Sequence, residues 1–206
     1  DEPIRLETDA EVRFHEGDDA TPTAVGLTHS IAAAEPGDTV LLDDGRIEAT
    51  VERVEGADVV ARIDSGGTLG SRKGVNLPGV AIDVDLITPS DEAELDLAAR
   101  AGADFVAASF VRDADDVYRI ADELEERGAE EIPVIAKIER AGAVENLEGI
   151  VDVADGVMVA RGDLGVECPL EDVPVIQKRI IRTCVNAGVP VITATEMLDS
   201  MVHSRR

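Results

Sequence analysis

The chain has few aromatic residues and few cysteines for its length. Its 206 residues contain three Phe, one Tyr and no Trp, so any core must be built from Val, Ile, Leu and Ala. Two cysteines, Cys168 and Cys184, are too few for a disulfide framework or a cysteine metal cluster. No signal-peptide pattern and no long apolar run is visible, and we therefore expect a soluble, cytoplasmic protein.

Positive charge is also scarce. Against 44 Asp and Glu there are 19 Lys and Arg, the formal net charge is −25, and the only lysines are Lys73, Lys137 and Lys178. Such a field repels nucleic acid and anionic membranes, so we expect neither as a partner. An acidic, lysine-poor surface suits concentrated salt, where the screening length falls to about 3 Å at 1 M. The composition indicates a halophilic cytoplasm, which is a hypothesis.

The chain divides into two patterns. Residues 6–85 contain short alternating or apolar runs separated by turn signals such as Asp43-Asp44-Gly45. These runs predict strands at residues 11–14, 39–42, 47–51 and 59–63. The pattern is typical of a small, mostly antiparallel β-domain.

After Ile87 helices and strands alternate. Thr88-Pro89-Ser90-Asp91 predicts a helix start, with Thr88 as the cap and Pro89 in the first position. Apolar residues at helical spacing predict further helices around residues 117–124, 144–151 and 173–184, and Ala121 is expected on the apolar face of the first of these. Strands are predicted at residues 104–109, 132–138, 156–160 and 189–194. Repeated strand–helix units imply a parallel sheet, and four strands are part of an eight-stranded (β/α)₈ barrel.

Charged residues follow two of the predicted strands. Lys137 and Glu139 end one strand, and Gly162 and Asp163 follow the next and precede a helix-like segment. In a parallel sheet both sets emerge at the carboxyl edge, where barrel enzymes place their chemistry. Taken singly, Glu139 is readable as a helix cap and Asp163 as a turn residue. Together with Lys137 they suggest a divalent metal holding an oxyanion beside a cation.

Several collinear motifs give the sequence a family resemblance. It resembles pyruvate kinase in Leu41–Gly45, Lys73–Gly79, Phe105–Phe110, Lys137–Glu139, Gly156–Gly165 and Ile192–Leu198. The resemblance implies an α/β fold, a partial TIM (β/α)₈ barrel with an inserted small β-barrel lid domain. Residues 1–6 are then the end of barrel strand three, residues 7–86 the lid, and residues 87–206 barrel strands four to seven with their helices.

The same resemblance implies a reaction: phosphoryl transfer from phosphoenolpyruvate to ADP, giving pyruvate and ATP in glycolysis. Mg²⁺ or Mn²⁺ is implied as cofactor, and K⁺ is possible with ligands outside this chain. A homotetramer is usual in the family. The implied roles are metal binding by Glu139 and Asp163, catalysis by Lys137 and Thr195, substrate binding by Lys137, Gly162, Asp163, Thr195 and Ser109, and nucleotide binding by Lys73 and Asp44.

The sequence departs from the common family pattern at three positions. Arg140 stands where asparagine is frequent, Glu196 where glutamine is frequent, and Cys168 where an aliphatic residue is usual. None of these changes removes an implied metal ligand or Lys137. Glu196 adds negative charge near the site, which weakens phosphate binding unless its side chain faces away.

Two alternatives stay open from the sequence. One is a metal-dependent aldolase or lyase acting on a pyruvate enolate, which also uses a Glu/Asp metal pair. The other is a non-catalytic metal-binding fragment, because the family's opening strands and closing strand have no counterpart here. We expect the isolated chain to be inactive for that reason.

Overall fold

The fold is taken from a computed structural model, which describes residues 3–80 and 85–194. The chain divides into two compact units, Asp1–Val84 and Asp85–Arg206. No helix among the described residues is both long enough and apolar enough to cross a membrane.

The first unit is built from strands. They are β1 Ile4–Leu6, β2 Glu11–Glu16, β3 Ala20–Thr21, β4 Ala24–Leu27, β5 Thr39–Leu42, β6 Ile47–Glu55, β7 Asp58–Ser65, β8 Gly67–Leu69 and β9 Val75–Asn76. Seven of them form one sheet in the order β3-β4-β2-β7-β6-β5-β9, and β1 pairs with β8. All pairs are antiparallel except β2 with β4. The four predicted strands are confirmed.

Alternating burial explains why these runs become strands of this sheet. In β2, Val12 and Phe14 are fully buried, and in β6, Ile47, Ala49 and Val51 point the same way. Successive side chains of a strand face opposite sides, so a period of two puts one row into the core. The barrel form expected for this unit stays a prediction, because the two end strands of the sheet, β3 and β9, do not pair with each other among the described residues.

Strand β1 lies with the first unit. Ile4, Arg5 and Leu6 pair with Leu69, Thr68 and Gly67 in β8, and Leu6 is fully buried in the core of this unit. The expectation that residues 1–6 end a strand of the barrel stays a prediction.

The second unit alternates helices with parallel strands. Its elements are α1 Pro89–Ala101, β10 Val106–Ala108, α2 Ala114–Glu126, β11 Val134–Ile138, α3 Ala141–Glu145, α4 Leu147–Val153, β12 Gly156–Val159, α5 Arg161–Glu167, α6 Val173–Ala187 and β13 Val191–Thr193. The four strands form a parallel sheet in the order β10-β11-β12-β13. Each predicted strand is present, although each is shorter than expected.

The start of α1 is confirmed in detail. The Thr88 hydroxyl accepts a hydrogen bond from the Asp91 backbone N–H, and the Asp91 carboxylate accepts one from the Thr88 backbone N–H at 2.8 Å. This reciprocal capping box satisfies two N–H groups that the helix cannot satisfy internally. The helix ends at Gly102, whose left-handed φ of 61° suits a residue without Cβ.

The core of the second unit lies between the sheet and its helices. Its fully buried residues include Ala136, Ile138, Val157 and Val159 on the strands and Leu147, Ile150 and Ile180 on the helices. Three sequence expectations need correction. Ala121 is exposed rather than on the buried face of α2. The single helix predicted across residues 144–151 is two helices, α3 and α4, which meet at Asn146. Gly162 and Asp163 lie inside helix α5 rather than before it.

Candidate active site

The strand register brings the predicted charged residues to one edge. Ala108 pairs with Ala136, Ile138 with Val159, and Val159 with Thr193, so the four strands end at nearly the same level. The Ala160 N–H donates to the Ile138 carbonyl at 3.3 Å, which continues the pairing beyond the strands. Residues that follow each strand therefore lie side by side at the carboxyl edge.

Glu139 and Lys137 form an ion pair at this edge. Nζ of Lys137 lies 2.5 Å from Oε1 of Glu139, whose side chain is 1% exposed, and it also donates to Oγ of Ser109 at 2.9 Å. The Phe110 backbone N–H donates to Oε2 of Glu139 at 2.8 Å. A buried carboxylate without partners is strongly disfavoured, and here each oxygen has one.

The Lys137–Glu139 pair suits the binding of a cation and an anion together. Each carboxylate oxygen of Glu139 has two lone pairs, so one contact per oxygen leaves room for a cation. Hard divalent ions prefer such oxygens. Lys137 is partly exposed, at 24% of its side chain, and it can reach an anionic ligand from the side open to solvent. Glu139 therefore supplies one oxygen ligand of the type that Mg²⁺ or Mn²⁺ prefers.

Gly162 and Asp163 lie in the first turn of α5, directly after β12, and both are exposed. Because β12 is the neighbour of β11, this turn belongs to the same edge as Glu139. The first N–H groups of a helix have no partner inside it. Among the described residues, no three His, Cys, Asp or Glu side chains are grouped to hold a metal ion. Thr195 and Glu196, also named from the sequence, lie outside the described residues.

In the loop between β10 and α2, the sequence analysis named Ser109 but missed the contacts made by Phe110 and Arg112. Phe110 has a left-handed backbone with φ of 58°, and the Arg140 guanidinium lies 5.1 Å from the centre of its ring. Arg112 holds the Asp116 carboxylate with two guanidinium hydrogen bonds of 2.8 Å and one backbone N–H at 2.9 Å. The pairing of an arginine and an acid four residues apart was the signal available in the sequence.

Asp116 is a buried acid that stays charged. Its residue is 2% exposed, and this burial raises the pKa of its carboxyl. The three hydrogen bonds and the charge of Arg112 act the other way and outweigh burial, so the pKa lies below its ordinary value of 3.8. The ion pair anchors the start of α2 and the loop that carries Ser109 and Phe110.

In the first unit, Lys73 lies against Asp43. Its Nζ is 2.8 Å from Oδ1 of Asp43, and the guanidinium of Arg46 lies 3.3 Å from Oδ2 of the same carboxylate. Asp43 is buried, with 6% of its surface exposed. The hydrogen bond from Lys73 lowers the pKa of the Asp43 carboxyl, and the two nearby cations add to this effect. The pairing of β5 with β9 sets the contact, because Leu42 lies opposite Val75.

The turn after β5 presents Asp44 to solvent. Asp43, Asp44 and Gly45 all have positive φ, at 51°, 57° and 79°, a run that short polar residues and glycine tolerate best. A Cβ on Gly74 would lie 3.9 Å from Oδ1 of Asp44, so Asp44 is beside the backbone that follows Lys73. The structure thus brings the two predicted nucleotide-binding residues together, and it adds Asp43 as the direct partner of Lys73.

The fold and the site define a class: an α/β protein whose parallel sheet presents a lysine and a buried carboxylate at its carboxyl edge. Comparison with known families identifies it further. The family model described as the pyruvate kinase barrel domain matches residues 2–206. The chain belongs to this family, and the resemblance seen in the sequence is confirmed.

Individual relatives agree with the family assignment. The chain is 44% identical to a pyruvate kinase of Clostridium acetobutylicum over 188 residues, which cover 91% of this chain and 40% of the relative. It is 45% identical to a pyruvate kinase of Bacillus licheniformis over 191 residues, which cover 92% of this chain and 32% of the relative. It is 47% identical to one of Geobacillus stearothermophilus over 190 residues, covering 90% and 32%. The chain therefore spans between a third and two fifths of the length of these relatives.

Proposed function

We propose that this chain carries part of the active site for phosphoryl transfer from phosphoenolpyruvate to ADP. The observation that supports this most directly is the position of Lys137, between Oε1 of Glu139 at 2.5 Å and Oγ of Ser109 at 2.9 Å. The difficulty in this reaction is negative charge, on the moving phosphoryl group and on the enolate that it leaves. Prearranged cations stabilise both with little reorganisation.

Lys137 is the proposed catalytic residue. Its ammonium lies at the edge where a phosphoryl group is to pass, and it neutralises charge on that group and on the enolate oxygen. Ser109, which accepts a hydrogen bond from Lys137, is a proposed contact for phosphate. Because Glu139 holds the same ammonium from its buried side, the lysine is oriented before substrate arrives.

Glu139 and Asp163 are the proposed ligands of Mg²⁺ or Mn²⁺. When bound, the metal supplies Lewis-acid stabilisation of substrate oxygens. Glu139 provides a buried, oriented carboxylate, and Asp163 provides an exposed one from the first turn of α5. K⁺, if required, is held by residues outside this chain.

The proposed site for the substrate carboxylate is the backbone at Gly162 and Asp163. N–H groups in the first turn of a helix point outward and attract anions. Glycine at position 162 allows close approach, since no heavy atom would lie within 4 Å of an added Cβ there. Thr195 is proposed to contact the substrate near the site of proton transfer.

Residues 7–86 are proposed to be a small β-barrel lid that brings the nucleotide. Lys73 and Asp44 are its proposed nucleotide-binding residues, Lys73 for phosphate and Asp44 for the nucleotide's metal. Residues 1–6 and 87–206 are proposed to be the end of barrel strand three and barrel strands four to seven. Phosphoenolpyruvate, pyruvate, ADP and ATP are then the small-molecule partners, and a cytoplasmic homotetramer is the proposed assembly.

A substitution at Lys137 tests the reaction. In the full-length protein, Lys137→Met is expected to lower kcat for ADP phosphorylation by roughly 10²–10³-fold. This is the usual effect of removing one electrostatic contact to charge that develops in the transition state. Lys178→Met is the matched control, because Lys178 is exposed on α6. A retro-aldol assay runs beside the kinase assay. Retro-aldol turnover without ATP formation would replace this proposal with the aldolase alternative.

The isolated 206-residue chain is proposed to be inactive. Large apolar side chains are exposed in the second unit, among them Leu170 at 74% and Phe105 at 61%. Exposed apolar area of this kind favours aggregation or a partner. Size-exclusion chromatography and ADP phosphorylation in concentrated KCl test this proposal together, and robust ATP formation by the isolated chain would refute it.

A further inference from the structure

Phe110 adopts a backbone conformation that its side chain disfavours. Its φ of 58° lies in the left-handed region. A residue with a Cβ is disfavoured in that region, and a bulky aromatic residue rarely adopts it. Such strain persists only where the surroundings enforce it, and it concentrates at functional sites.

We propose that Phe110 is a positioning residue for Glu139. The left-handed turn aims the Phe110 N–H at Oε2 of Glu139, 2.8 Å away, while Lys137 occupies the Oε1 side. With both oxygens held, the plane of the carboxylate is set for a cation. This inference rests on the proposed function, in which Glu139 is a metal ligand. Removing the support of a group that hydrogen-bonds to a metal ligand typically lowers metal affinity by roughly 10–100-fold.

Arg140 holds the Phe110 ring. Its guanidinium lies 5.1 Å from the ring centre, within the range of a cation–π contact. The Nε atom of Arg140 is buried and has no hydrogen-bond partner among the described residues, so stacking is the contact that orients this end of the guanidinium. Arg140 directly follows Glu139 in the chain. The metal ligand and the group that steadies its hydrogen-bond donor are therefore adjacent residues.

The loop is anchored on its other side as well. Arg112, two residues after Phe110, is tied to Asp116 by three hydrogen bonds. The Arg112 carbonyl accepts a hydrogen bond from the Asn146 side chain at 3.1 Å. The N–H of Phe110 therefore has a fixed place between two anchored neighbours, which is the condition for strain to persist at one residue.

Mn²⁺ affinity in the whole protein, measured by electron paramagnetic resonance of free Mn²⁺, tests the proposal. Phe110→Ala keeps an N–H but loses the ring, and it is expected to bind Mn²⁺ about tenfold more weakly. Phe110→Gly is expected to lose less, because glycine adopts positive φ without penalty. Phe110→Tyr keeps the ring and is expected to stay within about twofold of wild type, as aromatic rings share this contact with arginine.

Two further readouts separate positioning from general destabilisation. The KM for Mn²⁺ is expected to rise in Phe110→Ala while the KM for ADP and the melting temperature stay near wild type. Arg140→Met is expected to weaken Mn²⁺ binding in the wild-type background and to have little further effect beside Phe110→Gly, since no ring is then present to hold. Additive losses would contradict the stacking role.

Glu139→Gln serves as the reference variant. If it loses Mn²⁺ affinity and Phe110→Ala does not, the positioning role is wrong and the metal assignment stands. If Glu139→Gln itself binds Mn²⁺ normally, the metal assignment in the proposed function fails. Should Phe110→Ala not fold, Phe110→Gly against Phe110→Tyr decides, and equal affinities would overturn the role of Phe110.

Discussion

Nζ of Lys137 lies 2.5 Å from Oε1 of Glu139, and the two residues come from the same short segment at the end of β11. The side chain of Lys137 is 24% exposed, whereas that of Glu139 is buried, at 1% exposed. The difference matters, because a surface ion pair contributes little, whereas a sealed carboxylate depends on its partner. The arrangement leaves the ammonium accessible to a ligand and keeps the carboxylate fixed behind it.

Removing the lysine should therefore destabilise the fold as well as the reaction. Lys137→Met leaves Glu139 buried without its cation, and we expect a loss of about 3 kcal/mol, the lower end for a broken buried pair, because Lys137 is partly solvated. Urea denaturation measures it. The double variant Lys137→Met/Glu139→Gln should recover most of the loss, since the uncompensated charge is gone. A double variant as unstable as the single one would contradict this account.

Replacing Lys73 should weaken the binding of ADP and leave the binding of phosphoenolpyruvate nearly unchanged. If it binds phosphate, Lys73→Ala raises the KM for ADP by about tenfold, equivalent to about 1.4 kcal/mol, the scale of one charge-assisted hydrogen bond. The KM for phosphoenolpyruvate should change little. Lys178→Ala is the control, and steady-state kinetics with each substrate varied gives the comparison. Equal changes in both KM values would place Lys73 outside the nucleotide site.

Asp116 should make the free energy of unfolding depend on pH within a narrow acid range. Its pKa in the folded state is below the ordinary 3.8, so its contribution is complete above about pH 4 and is lost as pH falls through the lower folded value. Asp116→Asn removes the charge, and we expect it to cost about 2 kcal/mol at pH 7. The deficit should shrink below pH 4.

Denaturant unfolding from pH 7 down to acid measures this window. Asp122→Asn is the matched control, since Asp122 is exposed on the same helix, and it should show little deficit at any pH. If the loss of unfolding free energy in Asp116→Asn is the same at every pH, it arises from altered packing and not from the lost charge.

Stability should rise with salt. The net charge of −25 makes the chain repel itself, and this repulsion fades as the screening length falls from about 10 Å at 0.1 M to about 3 Å at 1 M. Salt also weakens favourable surface ion pairs such as Arg53 with Glu11, at 2.8 Å. We expect the relief of repulsion to be the larger effect, because the excess of acidic residues exceeds the number of ion pairs among the described residues.

The melting temperature against KCl tests the halophilic hypothesis. Tetramethylammonium chloride at equal ionic strength separates screening from binding of K⁺ itself, because it screens as well and fits K⁺ ligands poorly. A rise in both salts indicates screening, whereas a rise in KCl alone indicates K⁺ binding. A melting temperature that is flat or falls with both salts would end the hypothesis.

The elements and the edge of the second unit were predictable because their signals are local. The capping box at Thr88 and Asp91 spans four residues, and the apolar spacing of Val117, Ile120 and Leu124 spans two turns. The break at Asn146 between α3 and α4 was not predictable, since Val144, Leu147 and Val151 keep a helical spacing across it. Hydrophobic periodicity reports which face is buried and says little about whether a helix is continuous.

The partners within the site were not predictable. Phe110 and Glu139 are 29 residues apart, and Lys73 and Asp43 are 30 residues apart, which only the pairing of β10 with β11 and of β5 with β9 brings together. The spacing of Asp116 from Arg112 is visible in the sequence, but its burial is not, because burial follows from the packing around α2.

The amino-acid sequence by itself determined which segments alternate as strand and helix, and that Lys137, Glu139 and Asp163 lie at or just after the carboxyl ends of parallel strands. Those properties depend on spacing along the chain, and spacing is visible in sequence. Only the tertiary structure decided that Glu139 is sealed, that Lys137 and the Phe110 N–H hold its two oxygens, and that Asp43 holds Lys73. Burial and hydrogen-bond partners arise when distant strands come into register, and that happens only when the whole sheet forms.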